Sequence, residues 1–186
     1  HDVGKVHIPV EILNKPGKLT LEEFELVKKH AIYGYELLRD VPGLDPRIPL
    51  VAYQHHERND GSGYPLGLTG DRIELWSKIT AVADIFHAMS SRRPYHEPLP
   101  FHEIVARMRE GGFGALDPNI VTVFLKNITT RLVGQNVVLT DGRIGEIVYI
   151  QPFDHDSAVV KCGEEFIDLG DRKDLRIKEI GIRGMN

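Results

Sequence analysis

One cysteine, Cys162, one tryptophan and no long apolar run mark this 186-residue chain first by what it lacks. A single thiol excludes an internal disulfide and a cysteine-rich zinc cage, so a reducing, cytoplasmic setting is expected. No stretch approaches the roughly 20 apolar residues of a membrane-spanning helix, so no membrane contact is expected from this segment. Positive charge is not in excess either: 27 acidic against 23 basic residues leave a formal net charge of -4. That balance argues against general nucleic-acid binding by phosphate neutralisation. There is no initiator Met and no signal peptide; opening on His1-Asp2-Val3-Gly4-Lys5, the chain reads as a segment whose earlier residues, and any upstream sensor or regulatory region, lie elsewhere. Internal repeats and low-complexity runs are absent.

What is present is enough apolar residue, 41%, to bury a core, and a periodicity that changes once, near residue 130. Thr20 and Glu23 form a capping box, and Phe24, Val27, Ala31 and Leu38 then predict a helix over 21–40 that carries His30. A second helix is predicted over 47–58, with Ile48, Val51 and Ala52 inward and His55-His56 near its end. The run 59–67 is a glycine-rich loop. A third helix over 73–91 carries Trp76, Ile79, Val82, Phe86 and Met89, with Asp84 and His87 one turn apart. Shorter helices follow near 100–110, where Phe101 to Met108 pack as core, and near 117–129, across Gly111-Gly112-Phe113-Gly114. After residue 131 alternation predicts short strands at 137–139, 144–150, 158–160, 165–167 and 175–177. The expected fold is mainly α, a helical bundle over 1–130, with a small antiparallel β module over 131–186.

Nine histidines raise the question of a metal. Imidazole with carboxylate and no thiolate suits Fe, Mn or Zn held for Lewis-acid work. In the pair His1-Asp2 neighbouring side chains diverge, so both serve one site only if it lies against the backbone or a carboxylate bridges two ions. Taken alone, His30 is more often a packed histidine, and His55-His56 suits a helix end for its dipole. Asp84 is stranger, because a carboxylate among Ile79, Val82, Phe86 and Met89 is costly to bury without a partner. Together the set favours metal. His7, His102 and His155 are expected to be exposed, and Asp168 to Asp174 to form a solvated turn rather than a calcium loop.

The order His1-Asp2-x-Gly4-Lys5, Asn14-Lys15-Pro16-Gly17, His30, His55-His56-Glu57-Arg58-Asn59-Asp60-Gly61-Ser62-Gly63-Tyr64-Pro65, Ala83-Asp84 and Arg93-Pro94-Tyr95 resembles the HD-GYP family of metal-dependent phosphodiesterases. The resemblance covers about residues 1–127 and leaves 131–186 outside it. It implies a helical phosphohydrolase that cleaves cyclic di-GMP to pGpG, and onward to GMP, by attack of a metal-bridging hydroxide. It implies His1, Asp2, His30, His55, His56 and Asp84 as metal ligands, with Asp2 bridging. Two divalent transition-metal ions are expected, Fe or Mn foremost; some family members hold a third through residues that would precede His1. Lys5 is expected beside the metals to stabilise phosphate charge, and Tyr64, Gly63 and Arg93 to meet the ligand.

Two positions depart from the family pattern: His87 stands where an Asp is usual, and His96 where a basic residue is usual. Without that Asp, Lys5 is expected to be less well oriented, or His87 to take part itself. The sequence therefore leaves open an enzyme, a cyclic-dinucleotide receptor or adaptor that does not hydrolyse, and an HD-type hydrolase of another nucleotide. A homodimer is also left open.

Overall fold

The computed structural model describes residues 1–91, 99, 101–111, 115–151, 154–172 and 174–181. It confirms a mainly helical chain with a small antiparallel sheet. Arg93, Pro94, Tyr95 and His96, with Gly112, Phe113 and Gly114, lie outside the described residues, as do the side chains of His102 and His155.

Two compact units emerge, one of residues 1–98 and 111–120, the other of 99–110 and 121–186. The first opens on a 3-10 helix, Asp2–His7, and a single turn α1, Val10–Leu13. Then come α2, Leu21–Lys28, α3, His30–Leu38, and α4, Arg47–Gln54. A short 3-10 turn, Gly70–Arg72, leads into α5, Leu75–Ser90. The capping box forms as expected: Thr20 Oγ1 accepts the Glu23 N–H at 3.2 Å and a Glu23 carboxylate oxygen accepts the Thr20 N–H at 2.7 Å.

The helix expected over 21–40 is instead two, parted at Lys29. There the backbone N–H bonds Leu26 three residues back, at 3.1 Å, which tightens the turn before His30 starts α3. Phe24, of the apolar stripe, is 44% exposed. Ile48, expected inward, is exposed, and so are Trp76 and Ile79. Helix α4 stops at Gln54 rather than 58, so His55 is its cap and lies with His56 in the turn that follows.

In the second unit α6, Phe101–Arg109, buries Phe101, Ile104, Val105 and Met108 as expected of core. Helix α7, Pro118–Leu132, begins in the first unit and continues into the second. The strands are β1, Asn136–Leu139, β2, Ile144–Gln151, β3, Asp154–Cys162, β4, Glu165–Asp168, and β5, Ile177–Gly181. They form one antiparallel sheet in the order β4-β3-β2-β1-β5. The last strand begins later than expected. Leu175 N–H closes a turn on Arg172 at 3.0 Å, and the register slips between Val138 and Leu139. Val137, Leu139, Ile147, Val160, Ile167 and Ile177 make an apolar core for this sheet. No described helix is long and apolar enough to cross a membrane.

Candidate metal centre

The site lies wholly in the first unit. Its first wall is the 3-10 helix that carries His1, Asp2 and Lys5, and glycine is what lets that helix approach α3. Gly4 is buried, and a Cβ there would strike the His30 carbonyl and the Gly34 backbone; Gly34 in turn faces Gly4 and Ala52. The backbone contact brings Asp2 Oδ1 to 3.5 Å from His30 Nε2. In the tight 3-10 turn the neighbours His1 and Asp2 both face the site, with His1 Nε2 3.6 Å from Asp2 Oδ2.

His55 and His56 enter from the end of α4, and Asp84 from the middle of α5. Asp2 Oδ1 is 3.9 Å from His55 Nε2, and Asp84 Oδ1 is 3.7 Å from His1 Nε2. The His56 ring packs against both His55 and His30, with centroids 4.0 and 5.0 Å away. All six residues expected as ligands thus share one cluster. Within it the donor atoms of His30, His55 and His56 lie within 4.8 Å of one another, as do those of His1, Asp2 and His55.

Hydrogen bonds at the backs of two rings fix what the fronts present. His30 Nδ1 meets the Val27 carbonyl at 2.7 Å, and His55 Nδ1 meets the Ala52 carbonyl at 2.9 Å. A carbonyl only accepts, so each Nδ1 carries the proton and each Nε2 presents a lone pair. Those two Nε2 atoms face each other at 3.3 Å. Two lone pairs at that distance repel unless a cation lies between them, and backbone-anchored Nδ1–H is how ligating histidines are oriented. His30 and His55 are 1% and 0% exposed, so water does not resolve the conflict. The donor set fits a divalent transition metal.

Electrostatics agree. Burial, then the charge of His1, pushes the His55 imidazole down to about 4, and burial, then His55, pushes His56 down to about 2. Burial also lowers His30. Contact with Asp84 raises His1. For Asp84 burial alone would raise the carboxyl, but contact with His1 and the facing imidazoles outweighs it and holds it at about 2. The centre therefore offers neutral imidazoles at His30, His55 and His56 and an ionised carboxylate at Asp84, the forms that bind cations.

Around this cluster, Lys5 Nζ donates to Asp2 Oδ2 at 2.6 Å, so Lys5 has a carboxylate to orient it. His87, one turn beyond Asp84 on α5, has an exposed side chain. The Tyr64 ring stacks on His56 with centroids 4.6 Å apart, and Lys28 Nζ lies 5.6 Å from its centre. Burial pushes the Tyr64 phenol up, which keeps it a hydrogen-bond donor. Gly63 is needed for contact: a Cβ there would strike Glu57 Cα, the His56 carbonyl and the Arg58 nitrogen. His7, as expected, is exposed and meets Tyr33 edge-on.

One residue of consequence was not singled out from the sequence. Glu57 is 2% exposed and accepts the Leu66 N–H at 2.7 Å and the Leu68 N–H at 2.8 Å. The only signal in the sequence was its place, directly after two clustered histidines and before a glycine-rich loop.

With this geometry in view, comparisons place the chain among known proteins. Residues 1–120 match the profile of the HD domain family. The chain is 40% identical over 148 residues to a cyclic di-GMP phosphodiesterase of Pseudomonas aeruginosa, covering 80% of this chain and 36% of that one. It is 42% identical over 128 residues to a 3′3′-cGAMP-specific phosphodiesterase of Vibrio cholerae, covering 68% of this chain and 30% of that one. In fold it is similar to an HDG"Y"P protein from Bdellovibrio bacteriovorus, with a TM-score of 0.56 at 22% identity over 70% of this chain and 40% of the other. The chain spans about a third of the length of these curated relatives.

Proposed function

The chain belongs to the HD domain family, and from that premise we propose that it is a metal-dependent phosphodiesterase that opens cyclic di-GMP to pGpG, and onward to GMP. The observation that carries this reading is the facing pair of Nε2 lone pairs, His30 and His55 at 3.3 Å, with the Asp2 carboxylate within 3.9 Å of both. His1, Asp2, His30, His55, His56 and Asp84 would hold two divalent ions, Fe or Mn by the chemistry of mixed imidazole and carboxylate donors, with Asp2 shared between them. Bound there, the ions supply Lewis acidity toward a phosphodiester and lower the pKa of water.

The chain's own residues do the rest. Lys5, held on Asp2, puts a positive charge at the edge of the cluster, where it stabilises charge growing on phosphate oxygens and on the leaving oxygen. Tyr64, stacked on His56, offers a ring face and a protonated hydroxyl to a nucleotide at the cluster. Gly63 lets that ring come close. Arg93, which lies outside the described residues, would by its match to the family pattern contact phosphate through its guanidinium. The net charge of -4 is no obstacle, because the attraction is local.

A second substrate has support of its own, since a relative named as 3′3′-cGAMP-specific is about as similar to this chain as the one named for cyclic di-GMP. Both substrates share two phosphodiesters and a purine ring face. The test is anaerobic reconstitution of the full-length protein with Fe(II) or Mn(II), followed by chromatography of products from each cyclic dinucleotide. Linear dinucleotide from cyclic di-GMP, abolished by Asp2→Ala, is the expected result. A metal-filled protein that binds either ligand without cleaving it would overturn the enzyme in favour of a receptor.

A further inference from the structure

Loop 61–68 is folded back on the turn that follows α4 by contacts beyond those of an ordinary connection. The Tyr64 N–H donates to the His56 carbonyl at 3.2 Å, the Gly61 N–H to the Arg58 carbonyl at 2.9 Å, and Gly63 lies flat on the His56-Glu57-Arg58 backbone. The far side of the loop is held by one side chain. Glu57 spends one oxygen on the Leu66 N–H and the other on the Leu68 N–H, both within 2.8 Å, and Leu68 is itself buried. A buried amide left without an acceptor is costly, so the bond to Leu68, which is buried, selects the loop conformation and the part-buried bond to Leu66 supports it.

The consequence reaches the site. Glu57 is the next residue after His56, and the loop it pins carries Tyr64, whose ring lies on the His56 imidazole. With both its oxygens given to loop amides, Glu57 does not join the donor cluster. We propose that Glu57 is a positioning residue for substrate, acting through the loop to hold the Tyr64 ring against His56 at the mouth of the site. This rests on the reading above that Tyr64 meets the nucleotide. A purine stacking on a ring that is already in place loses little ordering entropy, whereas a free loop would have to be ordered on each binding event.

Glu57→Gln keeps the shape but turns an NH2 group toward one of the two loop amides. In the full-length, metal-loaded protein we expect metal content unchanged, a KM for the cyclic dinucleotide raised about tenfold, and kcat within about threefold of the parent. Tyr64→Ala should raise KM similarly, and Glu57→Gln added to it should change KM by less than about twofold, because the two act through one ring. Fully multiplicative effects, or loss of metal from Glu57→Gln, would overturn the proposal. Amide hydrogen exchange supplies a readout independent of turnover: Leu66, Leu68 and Tyr64 should exchange faster in Glu57→Gln, and unchanged rates would refute the positioning role. If the parent protein cleaves no cyclic dinucleotide, the proposed function falls, and the exchange data still decide whether Glu57 holds the loop.

Discussion

The two units of this chain bury different things. In the second, the sheet encloses Val137, Leu139, Ile147, Val160 and Ile167, and Thr129, bonded to its own helix backbone, is the one buried polar side chain among the described residues there. In the first, His30, Gln54, His55, Glu57 and Ser77 are all buried. Burying polar groups costs free energy unless each has a partner, and two imidazole lone pairs face each other here without one. The sheet is built for stability, and the centre of the helical unit is built for a ligand that repays its cost on binding.

The strongest way to break that contrast is to remove an anion from the centre. Asp84→Ala should abolish metal retention and hydrolysis, a loss beyond the roughly 10–100-fold that follows from disturbing an outer partner of a metal ligand. Elemental analysis of the purified variant decides it, and full metal content would remove Asp84 from the ligand set. The complementary change is Ile147→Ala in β2, a fully buried side chain. It should destabilise the sheet by about 2–5 kcal/mol through lost burial and a cavity. Denaturation should register this while metal stoichiometry stays at the parent value, and a parallel loss of metal would mean that the units are not independent.

A subtler cut leaves every donor in place. In Gly4→Ala the new methyl meets the His30 carbonyl, so the 3-10 helix must retreat from α3 and carry His1 and Asp2 with it. Metal affinity should fall by about 10–100-fold in competition with a chelator; unchanged affinity would show that the glycine contact does not set the cluster. The smallest effect is expected from His87→Asp. Lys5 already has Asp2 at 2.6 Å and the His87 side chain is exposed, so turnover should change by no more than about threefold. A tenfold gain in kcat would show that an acid at this position tunes Lys5 after all.

Much of this was legible in advance, and unevenly. The capping box at Thr20, the α6 core and the antiparallel module depend on local pattern, and local pattern is what a sequence displays directly. The six donors were readable only as an ordered set, since each alone has an ordinary explanation. The break at Lys29 was not legible, because a continuous helical stretch gives no sign of where it will bend. The exposure of Ile48 was missed for a related reason: an apolar residue on a helix face states a preference, and whether another element covers that face is decided elsewhere. Glu57 escaped notice because an acid beside a loop ordinarily faces water.

By itself, the sequence determined the chemistry on offer: imidazole and carboxylate without thiolate, a lysine four residues after the first histidine, and glycines wherever backbone had to meet backbone. Those are properties of residue type and short spacing. Only the tertiary structure decided that donors from both ends of an 84-residue span meet, His1 Nε2 and Asp84 Oδ1 lying 3.7 Å apart, that the His30 and His55 rings turn their lone pairs inward, and that Glu57 holds a loop. Ring orientation depends on which carbonyl lies behind each nitrogen, and that partner is set by packing, which no single segment contains.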